Sequence, residues 1–178
     1  MLPFSLALIL VVALIWPAAA EDKSACHLLT AGDIEAVTGG KMTASQPLQF
    51  DDIPTGPNRV IKVLGCMWGV SDKGGITMSW FQGPLTNDEI AQLIKMSKNN
   101  PGTNDLKKAN YKEVSKDFAQ ASCSTYSPPA SAKDGMLLSS CNGGAKGQGL
   151  SITFMSPTKE LTIDQTKALM DKAAAHLP

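Results

Sequence analysis

Moved along by 76 positions, the chain falls on itself without a gap. Ile76-Thr77-Met78 meets Ile152-Thr153-Phe154, and Leu85-Thr86 meets Leu161-Thr162. Asp88 then meets Asp164, Glu89 meets Gln165 and Leu93 meets Leu169, while Cys66 lands one residue from Cys141. The match describes a strand–connection–helix unit used twice, each copy introduced by a cysteine-bearing strand. Two copies of so long a period do not make a solenoid. They predict an internal duplication and a pseudo-symmetric domain. Chance matching of a common helix start is the competing explanation.

Helix starts are written three times in one grammar. Leu29-Thr30-Ala31-Gly32-Asp33-Ile34, Leu85-Thr86-Asn87-Asp88-Glu89-Ile90 and Leu161-Thr162-Ile163-Asp164-Gln165-Thr166 each place a threonine three residues before an acid or glutamine. The hydroxyl accepts from the third backbone N–H, and the longer side chain reaches back. In the first two, leucine before the cap and isoleucine after it form a hydrophobic staple. The first helix should stop at Gly39-Gly40, which suit a left-handed cap. The second should reach about Lys98 with Ile90, Leu93 and Ile94 on one face. The third should reach about Leu177 with Ile163, Met170, Ala173 and Leu177 on one face.

Strands fill the spaces between. Val60 to Val70 and Ile76 to Gln82 flank Ser71-Asp72-Lys73-Gly74-Gly75, a hairpin turn signal. Pairing Val70 with Ile76 puts Cys66, Trp68, Val70, Ile76, Met78 and Trp80 on one face, with Thr77, Ser79 and Phe81 on the other. Ser122 to Tyr126, Met136 to Cys141 and Leu150 to Met155 also read as strands, joined by Ser127-Pro128-Pro129 and by glycine-rich Asn142 to Gly149. Residues 43–58 and 99–110 read as mobile loops. The predicted class is α+β: a two-layer sandwich, with an antiparallel sheet carrying helices on one face.

Residues 1–20 are excluded from that fold. Leu6 to Trp16 is an unbroken apolar run, and Ala18-Ala19-Ala20 supplies small residues before Glu21. The pattern is a signal peptide, although no Lys or Arg precedes the run. Retained, the segment would be a borderline membrane anchor, and the only membrane contact expected. Residues 21–178 then form one domain, placed in the periplasm or secreted. Sixteen basic and sixteen acidic residues cancel, which argues against nucleic acid, since its binding needs a positive field. Lys107, Lys108, Lys112 and Lys116 interleave with Asp105, Glu113 and Asp117 and read as a solvated face.

Cys26, Cys66, Cys123 and Cys141 are an even count in an exported chain, which predicts two disulfides. Of three pairings the sequential one, Cys26–Cys66 with Cys123–Cys141, staples each half-chain separately. No C-x-x-C is present, so neither zinc nor haem is expected.

Other candidates fall to plainer readings. Gly143 to Gly149 glances at a phosphate loop, but no Ser or Thr follows Lys146 and a strand comes next, so a hairpin is expected. His27 neighbours a disulfide cysteine, and His176 sits in a last helical turn, where a cation suits the dipole. Neither has a triad signature. Asp51-Asp52 lacks the spaced oxygens of a calcium loop. Trp68 and Trp80 read as core. The loops 43–58 and 127–135 are candidates to gate a cleft. No catalytic residue, cofactor or metal ligand is expected.

Cys26-His27-Leu28-Leu29-Thr30-Ala31-Gly32-Asp33-Ile34, ending at Gly39, resembles the opening C-x-L-L-T-x-x-[ED]-[IV] of small exported bacterial cell-envelope domains, often lipoproteins. Cys66-Met67-Trp68 and the helix over 163–177 are similar to their later elements. The chain departs from the lipoprotein form because Glu21-Asp22-Lys23 separates the apolar run from Cys26. The resemblance implies an α/β sandwich without shared catalytic residues. The expected role is non-catalytic, binding a small ligand, an envelope component or a partner protein. An exported hydrolase acting through His27 or Asp52 is the alternative, and a secreted enzyme inhibitor a third.

Overall fold

Alternation of side chains builds the sheet. A computed structural model describes residues 24–56, 59–71, 74–99, 101–132 and 134–178, so the predicted signal peptide lies outside the described residues. Strand β1 is Met42–Gln49, β2 Ile53–Gly56, β3 Arg59–Val70 and β4 Gly74–Gln82. Strand β5 is Lys112–Phe118, β6 Ala121–Ser127, β7 Leu137–Ala145 and β8 Gln148–Ser156. All pair antiparallel in the order β1-β3-β4-β8-β7-β6-β5, with β2 beside β3. Cys66, Trp68, Ile76, Met78, Trp80, Cys123, Cys141, Leu150, Ile152 and Phe154 face one way into a single core.

The helices are α1 (Ala31–Thr38), α2 (Asn87–Lys98), α3 (Pro101–Lys108) and α4 (Ile163–Ala175). Thr30, Thr86 and Thr162 each cap a helix through a complete capping box. Gly39, at φ 68°, ends α1 in the left-handed region. Among the described residues, no helix is long and apolar enough to cross a membrane.

Helices cover both faces, which corrects the two-layer expectation with helices on one face. Helices α1 and α4 seal the main core, where Ile34, Leu169, Met170, Ala173 and Leu177 join the tryptophans. Helix α2 buries Ile90, Leu93 and Ile94 on the opposite face, against Phe81, Leu85 and Ile61. Glycine clears the ground for it. A methyl at Gly144 would meet Ile90, and one at Gly149 would meet Leu93 and Phe81. The start of α2 is fixed there by Leu85 N–H donating to the Gly147 carbonyl at 2.7 Å. Arg59 adds to this by donating to Glu89 at 2.5 Å and to the Pro84 carbonyl at 2.6 Å.

Other expectations shift in detail. The glycine-rich stretch 142–149 is ladder, not loop: β7 and β8 run through it to a two-residue turn at Lys146 (φ 50°) and Gly147 (φ 69°). Both left-handed residues match the twist of a tight hairpin. In the first hairpin Val70 pairs with Gly74 and Trp68 with Ile76. That slip of two residues keeps every side chain on its expected face. Residues 43–58 hold β1 and β2, and 99–110 hold α3. The charged run over 112–118 is the edge strand β5. Both outer strands are poor templates for further pairing: β1 carries Pro47, and β5 alternates charges.

The centre of the sheet is the β4–β8 pair, where Thr77 faces Thr153, the residue 76 positions on. The disulfides join Cys26 to Cys66 and Cys123 to Cys141. The latter two are directly opposed on β6 and β7.

Candidate functional site

Between α2–α3 and the sheet lies a cavity of about 370 Å³. Its floor is Ser140 and Asn142 of β7 with Ser151 and Thr153 of β8; Tyr126, Leu138 and Leu106 supply apolar wall. A second hollow of about 230 Å³ continues it under α2, sharing Ser97, Asn142 and Ser151 and adding Phe81, Leu93 and Met96. Local sequence explains the chemistry. The face that lies away from the disulfide core alternates with cysteine, isoleucine and phenylalanine, and carries hydroxyls where the core face carries hydrocarbon.

The roof is pinned at the β5 edge. Lys98 Nζ meets Asp117 at 2.8 Å, and Lys107 Nζ meets Glu113 at 3.5 Å. Asp117 is held below the usual carboxylate range, chiefly by the hydrogen bond from Lys98. Tyr126 Oη donates to Glu113 at 3.2 Å. Burial, first of all, raises the Tyr126 phenol above its ordinary value, so it stays protonated and a donor at neutral pH. Thr103, the one buried residue of α3 among those described, donates to the Ser97 carbonyl at 3.1 Å.

The sequence-stressed residues lie elsewhere, each in contacts of its own. His27 sits edge-on to Trp80, with ring centroids 5.6 Å apart. Trp80 Nε1 donates to Gln148 Oε1. His176 caps α4, and its Nδ1 is 3.2 Å from the Leu28 carbonyl. A carbonyl only accepts, so Nδ1 carries the proton there. Asp52 accepts from Val63 N–H at 3.4 Å in the link between β1 and β2. Lys146, in the glycine-rich turn, donates to the Leu177 carbonyl at 2.6 Å. Among the described residues, no group of three or more His, Cys, Asp or Glu side chains could hold a metal ion. The cleft floor itself went unnoticed in the sequence. Its only signal there is the polar alternation of Ser151 and Thr153 with Ile152 and Phe154, which is also how any half-exposed strand reads.

No protein-family model matches the chain. No curated protein sequence matches it either. Among solved structures it is similar to the extracellular domain of PknH from Mycobacterium tuberculosis, with a TM-score of 0.53 and 12% identity. The likeness covers 88% of this chain and 95% of that one, and it is a likeness of fold. Two disulfides in one small domain suit an oxidising compartment and hence an exported protein.

Proposed function

We propose that this is an exported, non-catalytic binding domain that takes a small neutral ligand in the cleft beneath α2 and α3. One observation carries the reading. Ser140, Asn142, Ser151 and Thr153 line the cavity half-buried, yet none of their side chains hydrogen-bonds another protein group among the described residues. Groups placed so in an apolar-walled hollow are what a ligand site supplies: a few convergent polar contacts for orientation and hydrocarbon for affinity. The setting is the periplasm or the exterior, consistent with the Cys26-x-Leu28-Leu29-Thr30 opening it shares with envelope domains. The β4–β8 register supports an internal duplication of the strands, whereas α2 and α4 have diverged to opposite faces.

The test is a thermal-shift screen of the oxidised protein against sugars, peptidoglycan fragments, amino acids, lipids and divalent metals, followed by amide exchange. A ligand at 100 times its Kd adds about 2.7 kcal/mol, or a rise of roughly 5–11 °C at this size. Slowed exchange across 101–108 must accompany the shift. A shift with no protection there, or no shift from any class, defeats the assignment.

A further inference from the structure

The floor residues Ser140, Asn142, Ser151 and Thr153 belong to a grid whose rows Thr77 and Ser79 of β4 continue beside the cavity. Thr77, Thr153 and Ser140 are mutually opposed across β4, β8 and β7. Ser79, Ser151 and Asn142 form a second such row two residues along the same strands. Each row therefore repeats at ~4.8 Å across the strands, and the rows lie ~6.8 Å apart. All six side chains are half-buried. None of the six side chains hydrogen-bonds a protein group among the described residues.

We infer that the cleft binds a linear, neutral, polyhydroxylated chain, an uncharged oligosaccharide, lying across the strands along these rows. The inference rests on the cleft being a ligand site and names what enters it. Hydroxyl and carboxamide groups both donate and accept. The ligand that satisfies six of them has the same dual capacity, as sugar hydroxyls and acetamido groups do. An anion would call for Lys or Arg beside the grid, and a cation for carboxylates. The charged groups that pin the roof, Lys98 with Asp117 and Lys107 with Glu113, neutralise each other at the β5 end.

A peptide adding as a strand is disfavoured because β4, β8 and β7 lie inside the sheet with both ladders filled. Leu106, Tyr126, Leu138 and Phe81 offer the apolar surface that C–H faces of sugar rings need. The Thr77 row also runs on past β4. Beyond it, on the same face, half-exposed Met67 of β3 faces Thr77, whereas Gly65, opposite Ser79, is buried beneath Leu48 and Phe50. A chain of several units can follow that one row over Met67, which a single sugar would not reach.

The experiment is calorimetric titration of the oxidised protein with β-1,4-linked N-acetylglucosamine oligomers of one to five units, and with the matching glucose oligomers. Affinity should rise at least tenfold between one unit and three. Thr153→Val and Ser151→Ala should each weaken the longest oligomer by about 2- to 10-fold, the worth of one hydrogen bond, with melting unchanged. Should one variant misfold, the other decides. Binding that does not grow with length, or that ignores both substitutions, overturns the oligosaccharide assignment. If every neutral oligomer fails while another class protects 101–108, the cleft reading stands and this one falls. If no class protects 101–108, both fall. Tighter binding of an acidic oligosaccharide or a peptide overturns it as well.

Discussion

Gly144 lies directly under Ile90: a methyl on Gly144 would sit 2.5 Å from Ile90 Cδ1, 2.9 Å from Cγ1 and 3.0 Å from Cγ2. The branched side chain cannot swing clear of all three contacts. Gly144→Ala should therefore lift α2 and cost about 1–3 kcal/mol, read by urea unfolding. Adding Ile90→Ala should make the pair less destabilising than the sum of the single changes. Additive losses would mean the two residues do not press on each other.

Gly74 is less forgiving. Its φ is +105°, and an added methyl would lie 1.8 Å from the Met155 carbonyl oxygen, which is fixed in the central ladder. Gly74→Ala should cost about 3 kcal/mol or more, well beyond Gly144→Ala. Equal melting temperatures for the two variants would contradict this ranking.

Asp33 joins α1 to α4, and it gives stability a pH dependence. The Thr30 hydroxyl hydrogen bond, with help from Lys172 at 3.0 Å and against the cost of burial, lowers its pKa from 3.8 to about 2. The folded value is below the unfolded one, so the contribution is fully present above about pH 4 and fades as pH falls through 2. Asp33→Asn should flatten that part of the curve in denaturant titrations at pH 2, 3 and 5. An unchanged acid limb would remove Asp33 from the account. Glu89, lowered chiefly by the Thr86 backbone N–H, acts in the same direction.

Salt should loosen the cleft roof before anything else. Its pins, Lys98–Asp117 and Lys107–Glu113, are largely exposed. Such exposed pairs contribute little each and are screened at 1 M salt. Amide exchange over 101–108 should quicken by about 2- to 10-fold in 1 M NaCl, while β4 and β8 stay as protected as before. Uniform change across the chain, or none in α3, would refute the pinning.

Removing a disulfide should cost more at Cys26–Cys66, which closes a separation of 40, than at Cys123–Cys141, which closes 18. Loop entropy gives about 4 and about 3 kcal/mol. Paired Cys→Ala variants, compared by urea midpoint, measure both.

Local rules were legible in the sequence wherever one residue's neighbours decided the outcome. All three threonine caps, the Gly39 stop and the inward set around Trp68 follow from hydrogen bonding or alternation alone. Elements whose stability comes from elsewhere were not legible. Strand β1, exposed over most of its length and holding Pro47, exists because β3 offers it a partner. Helix α3 contains Gly102, Thr103 and Asn104, all poor helix formers. The side of the sheet that α2 would choose depended on Gly144 and Gly149, 54 and 56 positions from Ile90 and Leu93. Read locally, those glycines signal only a turn. The cleft inherits this blindness, because its floor and roof meet only after that choice.

The seam between β4 and β8 has a further consequence for how the chain assembles. Each disulfide closes within its own half, and each capping box is satisfied within four residues. Oxidation and helix initiation can therefore run to completion in either half before the other arrives. Thr77 finding Thr153 and α1 meeting α4 are the long-range steps, and no covalent bond guards either. By the penalty on distant contacts, such encounters slow folding relative to the steps within each half.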